Sequence, residues 1–366
     1  MVYLNIILSG GGSAGHINPA IAIAKYFDSH YENVNILFIG TKNGMENELV
    51  KKAGFDIFTV DVEGFKTSLS LKNVKPLAKF LLASMKMKSV IKKFKADMVI
   101  GTGGYVCAPA VTAANMMKIP TLIHEQNAFP GSAVRFLSKK STVTAISFKE
   151  STKFLSGAKN IVYTGNPVRE NILMADSEKA KEKLGLGNKK MVLVVGGSLG
   201  ALKINDVVCD YLKEYKSSDT RFFISTGKRD YERIKDKVKE YEDNSYFEVM
   251  PYIHDMDTYL AAADLVVCRS GAITLSEICA LKKASILIPS PNVTNNHQEY
   301  NASALVKNNA ALMIKECDFS PSSLNDAINI LLKDENKRIS IGNNAYKMYN
   351  NDSTKFICES ILKFVK

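Results

Sequence analysis

Short apolar runs alternate along this chain with stretches whose apolar residues recur at helical spacing. In the first half the runs Leu4–Leu8, Val34–Ile39, Ile57–Val60, Met98–Gly101, Thr121–His124 and Val143–Ala145 predict six strands. A second series follows at Met191–Val195, Phe222–Ser225, Phe247–Met250, Leu265–Cys268 and Ala284–Pro289. Strands that alternate with helices give parallel sheets covered by helices on both faces. The two series also open alike. "ILSGGGSAGHINPA" (Ile7–Ala20) and "MVLVVGGSLGALKIN" (Met191–Asn205) are each an apolar strand, a glycine turn and the start of a helix, with Pro19 and its neighbouring alanines marking the first helix. The chain is therefore read as α/β, with two Rossmann-like domains facing each other across a cleft. The boundary falls in the Gly-, Asn- and Pro-containing segment Tyr163–Arg169. The domains are placed at residues 1–165 and 166–346, with a C-terminal helix of about 347–366 packing back on the first.

Ligands of such sheets bind beyond the carboxyl ends of the strands, where both glycine turns and the loop "CRSGAITLSE" lie. A glycine turn lets backbone approach a ligand, and the helix behind it aims free N–H groups at an anion. Gly10, Gly12 and Gly15 fit the dinucleotide fingerprint, but that pattern also needs an acid after the second strand to hold a ribose. Thr41, Lys42 and Asn43 stand there instead, and no carboxylate comes before Glu46. The first turn is thus not expected to bind NAD, and without a following Gly-Lys-Ser/Thr it is not a P-loop. The alternative is a tight turn that packs helix on sheet.

At 366 residues, 46% of them hydrophobic, the chain suits two domains with real cores. Its six cysteines form no C-x-x-C pair, so neither a zinc site nor a disulfide framework is indicated, and a reducing compartment is expected. No basic, then apolar, cleavable leader is seen at the start. Met98–Met117 carries no charge, but "GTGG" and Pro109 break it into strand, turn and helix rather than a membrane span. Net charge is +11, and it is lopsided: through Gly165 there are 20 Lys+Arg against 10 Asp+Glu, and beyond it 28 against 27. Such a basic face suits an anionic surface. No nucleic-acid motif is present and aromatic residues do not interleave the basic run, so no nucleic-acid partner is expected.

Eight motifs stand in order: "GGGSAGH" (Gly10–His16), "GTGGYVCAP" (Gly101–Pro109), "HEQNAFPG" (His124–Gly131), "GNPVR" (Gly165–Arg169), "GGSLGA" (Gly196–Ala201), "YIHDM" (Tyr252–Met256), "CRSGAITLSEI" (Cys268–Ile278) and "NHQEYNA" (Asn296–Ala302). Together they closely resemble the MurG family, the N-acetylglucosaminyltransferases of peptidoglycan synthesis. The resemblance covers nearly the whole chain. It implies a GT-B fold and inverting transfer of N-acetylglucosamine from UDP-GlcNAc to the C4 hydroxyl of the muramyl sugar on lipid I, giving lipid II. It implies no cofactor, and a peripheral place on the cytoplasmic face of the membrane.

The resemblance assigns the donor to the C-terminal domain, through Arg169, Ser198, Ile253, Ala272, Ile273, Thr274, Leu275, Ser276, Glu277 and Gln298. Ser13, Ala14, Gly15 and Asn127 of the N-terminal domain match positions that complete that site. The residue types suit the chemistry. A helix opening at about Ala272 can offer N–H groups to a diphosphate. Thr274 and Glu277, three apart, share a helix face, and a carboxylate can accept both ribose hydroxyls. The other reading of Glu277 is an acid that suits the dipole of an early helical turn. Ser198 suits phosphate or sugar, or an N-cap. Ile253 would meet uracil through its backbone, or is an ordinary core residue. Gln298 suits sugar hydroxyls, or is a solvated loop amide. Arg169 suits the diphosphate, or a surface ion pair.

Two residues compete as catalytic base. His16, at a helix mouth, is biased towards its neutral form. Glu125 is the rival, and either can instead serve to shape its loop. Asp255 and Asp257 form a D-x-D, but N-capping explains an acid there better than a metal. Two positions depart from the family pattern: Ala133-Val134 where many members have Thr-Asn, and Leu199 where others have Gln. The competing functions are a diacylglycerol glycosyltransferase, a UDP-GlcNAc 2-epimerase of related fold, and a non-catalytic basic protein that binds membrane or nucleic acid.

One segment carries the basic charge. Gly64–Ala96 holds nine lysines and no acid, and Pro76 can open a helix in it. Leu77, Phe80, Leu81, Ser84, Ile91 and Phe94 fall near one stripe, with Ala78, Leu82 and Met85 beside it. One strip is expected to pack on the sheet while the other apolar groups and the lysines meet an anionic bilayer.

Overall fold

The computed structural model describes residues 3–64, 74–197, 200–215, 218–241 and 246–365. The chain divides into two compact units, Met1–Pro167 with Asp352–Lys366, and Val168–Asn351.

The first unit is a seven-stranded parallel sheet in the order β3-β2-β1-β4-β5-β6-β7. The strands are β1 (Leu4–Ser9), β2 (Val34–Thr41), β3 (Asp56–Val60), β4 (Met98–Gly101), β5 (Thr121–Glu125), β6 (Val143–Ile146) and β7 (Ile161–Tyr163). Its helices are α1 (Ala14–His30), α2 (Glu46–Lys52), α3 (Val74–Phe94), α4 (Ala108–Met116) and α5 (Ser132–Leu137). Alternation along β1 sends Ile7 to a core shared with Met87 and Ile91 of α3 and Val111 of α4. Ile6 and Leu8 go to the opposite core, with Ile17 and Phe27 of α1. The C-terminal helix (Ser353–Leu362) closes that second core with Ile357, Cys358 and Ile361.

The second unit repeats the plan with six parallel strands in the order β10-β9-β8-β11-β12-β13. These are β8 (Lys190–Val195), β9 (Thr220–Ser225), β10 (Phe247–Met250), β11 (Leu265–Cys268), β12 (Ala284–Leu287) and β13 (Leu312–Met313). Its helices are α6 (Glu170–Leu173), α7 (Ser177–Lys183), α8 (Leu202–Glu214), α9 (Tyr231–Val238), α10 (Met256–Ala262), α11 (Ala272–Ala280), α12 (His297–Lys307), α13 (Pro321–Lys333) and α14 (Glu335–Met348). The C-terminal helix of the chain is α15. Each unit has the doubly wound order, which reverses beside its first strand: β1 lies against β4, and β8 against β11.

Three expectations change. The helix after the first glycine turn opens at Ala14, not near Pro19, so His16 lies in its first turn and Pro19 inside it. Proline cannot donate there, so the Gly15 carbonyl loses its intrahelical partner. Strands β7 and β13 were not expected; they are short, half-buried edge strands. Finally, the buried residues of α3 are Pro76, Ala83, Ser84, Met87 and Ile91. Leu77 and Leu81, placed by spacing on one stripe with Ser84 and Ile91, are 48% and 54% exposed, like Leu82 at 65% and Met85 at 67%. These four apolar side chains therefore face solvent, while Pro76 is buried and Phe80 partly so. Among the described residues no helix is long and apolar enough to cross a membrane; Met98–Met117 is β4, a 3-10 turn and α4.

Candidate functional site

In the second unit a cavity of about 550 Å³ opens at the reversal point, a size that suits a nucleotide-sized ligand. It is lined by the glycine turn Gly196, Gly197 and Gly200, by Gly271 and Thr274 of α11, and by Arg269, Ser290, Asn292, Gln298 and Glu316. Gly271 holds extended backbone at the N-cap of α11 and caps nothing with a side chain. The first N–H groups of that helix are left for another acceptor. Gln298 turns its Oε1 to the Ser290 N–H at 2.9 Å, which leaves its amide –NH2 as the donor end of a cavity-lining residue. Arg269 holds the far wall: it donates to the carbonyls of Ile288 (3.1 Å) and Pro289 (3.2 Å) and pairs with Glu316.

Glu277 lies in the second turn of α11, beyond the first-turn positions where a helix dipole acts most strongly. Its partner is Arg169, whose Nε and NH2 both stand 2.9 Å from Oε1. Burial pushes the Glu277 carboxyl up, against the opposing pull of the guanidinium. Arg169 itself is half-exposed at the N-cap of α6. The structure thus joins two expected donor residues to each other, and Thr274 and Gln298 to the cavity. Ala272 and Leu275 are buried, while Ile273 and Ser276 are partly exposed, Ser276 donating back to the Ala272 carbonyl. The Ile253 side chain is a buried core residue. Ser198, with Leu199, lies outside the described residues. Asp255 occupies the N-cap position of α10, yet its carboxylate caps no backbone N–H; it pairs with Lys183 at 3.0 Å. Among the described residues no group of three His, Cys, Asp or Glu is placed to hold a metal ion.

In the first unit the corresponding reversal point brings "GGGSAGH" against "GTGGYVCAP". Ser13 is the N-cap residue of α1, Ala14 and Gly15 begin it, and His16 is half-buried in its first turn. His16 Nδ1 lies 3.2 Å from the Thr102 carbonyl and 3.1 Å from Gln126 Oε1. Gly103 runs at φ +102°, and a Cβ there would sit 2.6 Å from His16 Nδ1, so the "GTGG" turn is shaped to admit the imidazole. Gly103→Ala is therefore expected to displace the ring and lower turnover by up to roughly a hundred-fold. UDP affinity should stay unchanged in calorimetry. Unchanged turnover in a folded variant would show that the ring's place does not matter.

Glu125 is fully buried and committed to the loop after β5: Asn127 N (2.8 Å) and Nδ2 (3.1 Å) donate to Oε1, and Gly131 N (2.8 Å) to Oε2. Burial raises its pKa, and those donors oppose the rise. Glu46, the first acid after β2, is buried as well. It accepts from Thr41 N and Oγ1 and lies 3.5 Å from the Gly12 N–H. A carboxylate spent in this way is not offered to a ribose.

Sequence reasoning missed Gln126, which sits between Glu125 and Asn127 in a quoted motif, and Arg269, inside "CRSGAITLSEI". Both are polar residues within motifs and could have been singled out. Nothing local marks Glu316.

The model of the glycosyltransferase family 28 N-terminal domain matches residues 6–146, and that of the family 28 C-terminal domain residues 191–355. A protein of Acetivibrio thermocellus named UDP-N-acetylglucosamine--N-acetylmuramyl-(pentapeptide) pyrophosphoryl-undecaprenol N-acetylglucosamine transferase is 44% identical over 366 residues, 99% of each chain. The crystal structure of MurG from Acinetobacter baumannii matches with a TM-score of 0.81 at 27% identity, covering 99% of this chain and 100% of that one. A UDP-GlcNAc 2-epimerase from Neisseria meningitidis shares the fold at a TM-score of 0.70 and 14% identity, over 99% of this chain and 100% of its own. With two Rossmann-like units, both family 28 domains and near-complete coverage by such relatives, the chain is a glycosyltransferase of GT-B fold and belongs to the MurG family.

Proposed function

We propose that this enzyme moves N-acetylglucosamine from UDP-GlcNAc to the C4 hydroxyl of the muramyl sugar of undecaprenyl-diphosphate-linked N-acetylmuramyl-pentapeptide, with inversion at the anomeric carbon. The observation that carries the reading is the cavity at the β8/β11 reversal point, where the open N-terminus of α11, Thr274 and Gln298 converge. The N–H groups of α11 receive the diphosphate, Gln298 addresses the sugar hydroxyls, and Glu277 accepts the ribose hydroxyls. Ile253 contributes through its backbone, and Ser198 and Ser276 complete the donor contacts. Arg169, half-exposed beside Glu277, is the cation that meets the charge developing on the departing UDP. His16 takes the proton of the attacking hydroxyl. It stands in the first turn of α1 with Nδ1 against two acceptors, while Glu125 is occupied by donors of its own loop. An acceptor panel tests this function. UDP release is expected with a lipid I analogue, and neither release with diacylglycerol nor UDP-ManNAc from UDP-GlcNAc alone. Epimer formation without acceptor would assign the chain to the epimerases.

An undecaprenyl-linked acceptor stays in the membrane, so the first unit docks on the cytoplasmic leaflet. Leu77, Leu81, Leu82 and Met85 of α3 present apolar groups to it, amid lysines of the same helix. Not every lysine is available: Lys79 pairs with Asp61 and Glu63, and Lys86 lies 4.8 Å over the Phe58 ring. Inserting such an apolar side chain contributes on the order of 1 kcal/mol, and each lysine near an anionic surface about 1 kcal/mol, screened by salt. Replacing Leu81, Leu82 and Met85 with Ser is expected to weaken binding to anionic vesicles while leaving UDP affinity intact. Equal binding by variant and wild type, or equal binding to neutral and anionic vesicles, would overturn this docking mode.

A further inference from the structure

Behind His16 runs a buried chain of polar groups in which each donor direction is forced. It starts at a backbone carbonyl. Asn166 Nδ2 lies 3.1 Å from the Gln126 carbonyl, which can only accept, so the other end of that amide is Oδ1. Ser147 Oγ stands 2.7 Å from this Oδ1 and must donate to it. With its proton used, the Ser147 oxygen accepts from His124 Nε2 at 3.1 Å, and the Gly165 carbonyl, 3.2 Å from the same nitrogen, accepts as well. His124 therefore carries a proton on Nε2. Burial pushes its pKa down to about 4, so the ring is neutral and Nδ1 offers a lone pair. Gln126 Nε2 donates to that Nδ1 at 3.0 Å and to the Thr102 carbonyl at 2.8 Å. These bonds fix the amide, and the atom it turns to His16 Nδ1, at 3.1 Å, is its oxygen.

We infer that Gln126 is a positioning residue: held in one orientation by His124, Ser147 and Asn166, it fixes His16 as the Nδ1–H tautomer, with the ring's lone pair on Nε2. An amide oxygen and the Thr102 carbonyl both accept at Nδ1, and the hydrogen bond made by one ring nitrogen decides the role of the other. Residues of "HEQN" and the Gly165-Asn166 pair that opens "GNPVR" thereby act on the histidine of a third motif, 110 positions away from Gln126 along the chain. The consequence for turnover rests on the reading of His16 as the base; the tautomer itself does not.

The test is long-range 1H–15N correlation spectroscopy of the full chain labelled on histidine nitrogen, with His16→Ala giving the assignment. The wild type should show a pyrrole-like Nδ1 and a pyridine-like Nε2 at His16; the reverse pattern overturns the inference. Gln126→Met removes one acceptor. It is expected to move His16 part-way to the Nε2–H form and to lower turnover by about ten- to a hundred-fold, with the donor KM unchanged. The wild-type spectrum carries this test by itself even if Gln126→Met fails to fold. An unmoved tautomer in folded Gln126→Met removes Gln126 from its role. A moved tautomer with unchanged turnover leaves the inference standing and removes His16 as base.

Discussion

His16→Ala is expected to lower turnover by roughly a hundred- to ten-thousand-fold, the usual contribution of a positioned base, while UDP binds as in the wild type. The two effects separate because the donor cavity is built within the second unit, whereas His16 belongs to the first. Steady-state kinetics beside calorimetry with UDP checks this. The imidazole is placed by the first turn of α1, by the Thr102 carbonyl and by Gln126. Removing it leaves those groups to water rather than collapsing a core. A variant that kept wild-type turnover would dismiss base catalysis by His16. Glu125 would then return as candidate, although it would have to surrender its bonds to Asn127 and Gly131 to act.

The second large effect is expected at Glu277. Glu277→Ala should weaken UDP by about ten- to a hundred-fold, corresponding to one charge-assisted hydrogen bond of roughly 1.5–3 kcal/mol. Binding of a 2′,3′-dideoxy analogue should change far less, since the lost partner is the ribose. The carboxylate is held by Arg169, so the ribose hydroxyls must compete with the guanidinium for it. Deleting the acid leaves only a half-exposed arginine without its partner, which is cheap in water, so the variant should fold. Equal loss of affinity for UDP and for the dideoxy analogue would move Glu277 from ribose recognition to general support of the cavity.

The strands were legible because their apolar runs are buried on both faces, as at Ile6, Ile7 and Leu8. The short edge strands β7 and β13 were not, since two or three half-buried residues leave no pattern. Pro19 drew the expected helix start too far along, because a proline fits a first turn so well; the observed helix tolerates it inside. In α3 the spacing grouped Leu77 and Leu81 with Ser84 and Ile91. Helical spacing gives azimuth only, and a side chain is buried only where another element covers it: Pro76 and Ala83 are covered, Leu77 and Leu81 are not. The motifs located the residues of the site, but not who holds whom. Arg169 and Glu277 are 108 positions apart, and His16 and Gln126 are 110 apart. Such pairings come from the tertiary packing of segments far apart in the chain, which no local pattern records.

The linkage in the product is the sharpest test of inverting transfer to one hydroxyl. Proton NMR of the disaccharide formed from UDP-GlcNAc and a lipid I analogue should show a β-configured anomeric centre joined to C4 of the muramyl sugar. An α-configured linkage, attachment at another hydroxyl, or no disaccharide from folded enzyme would contradict it.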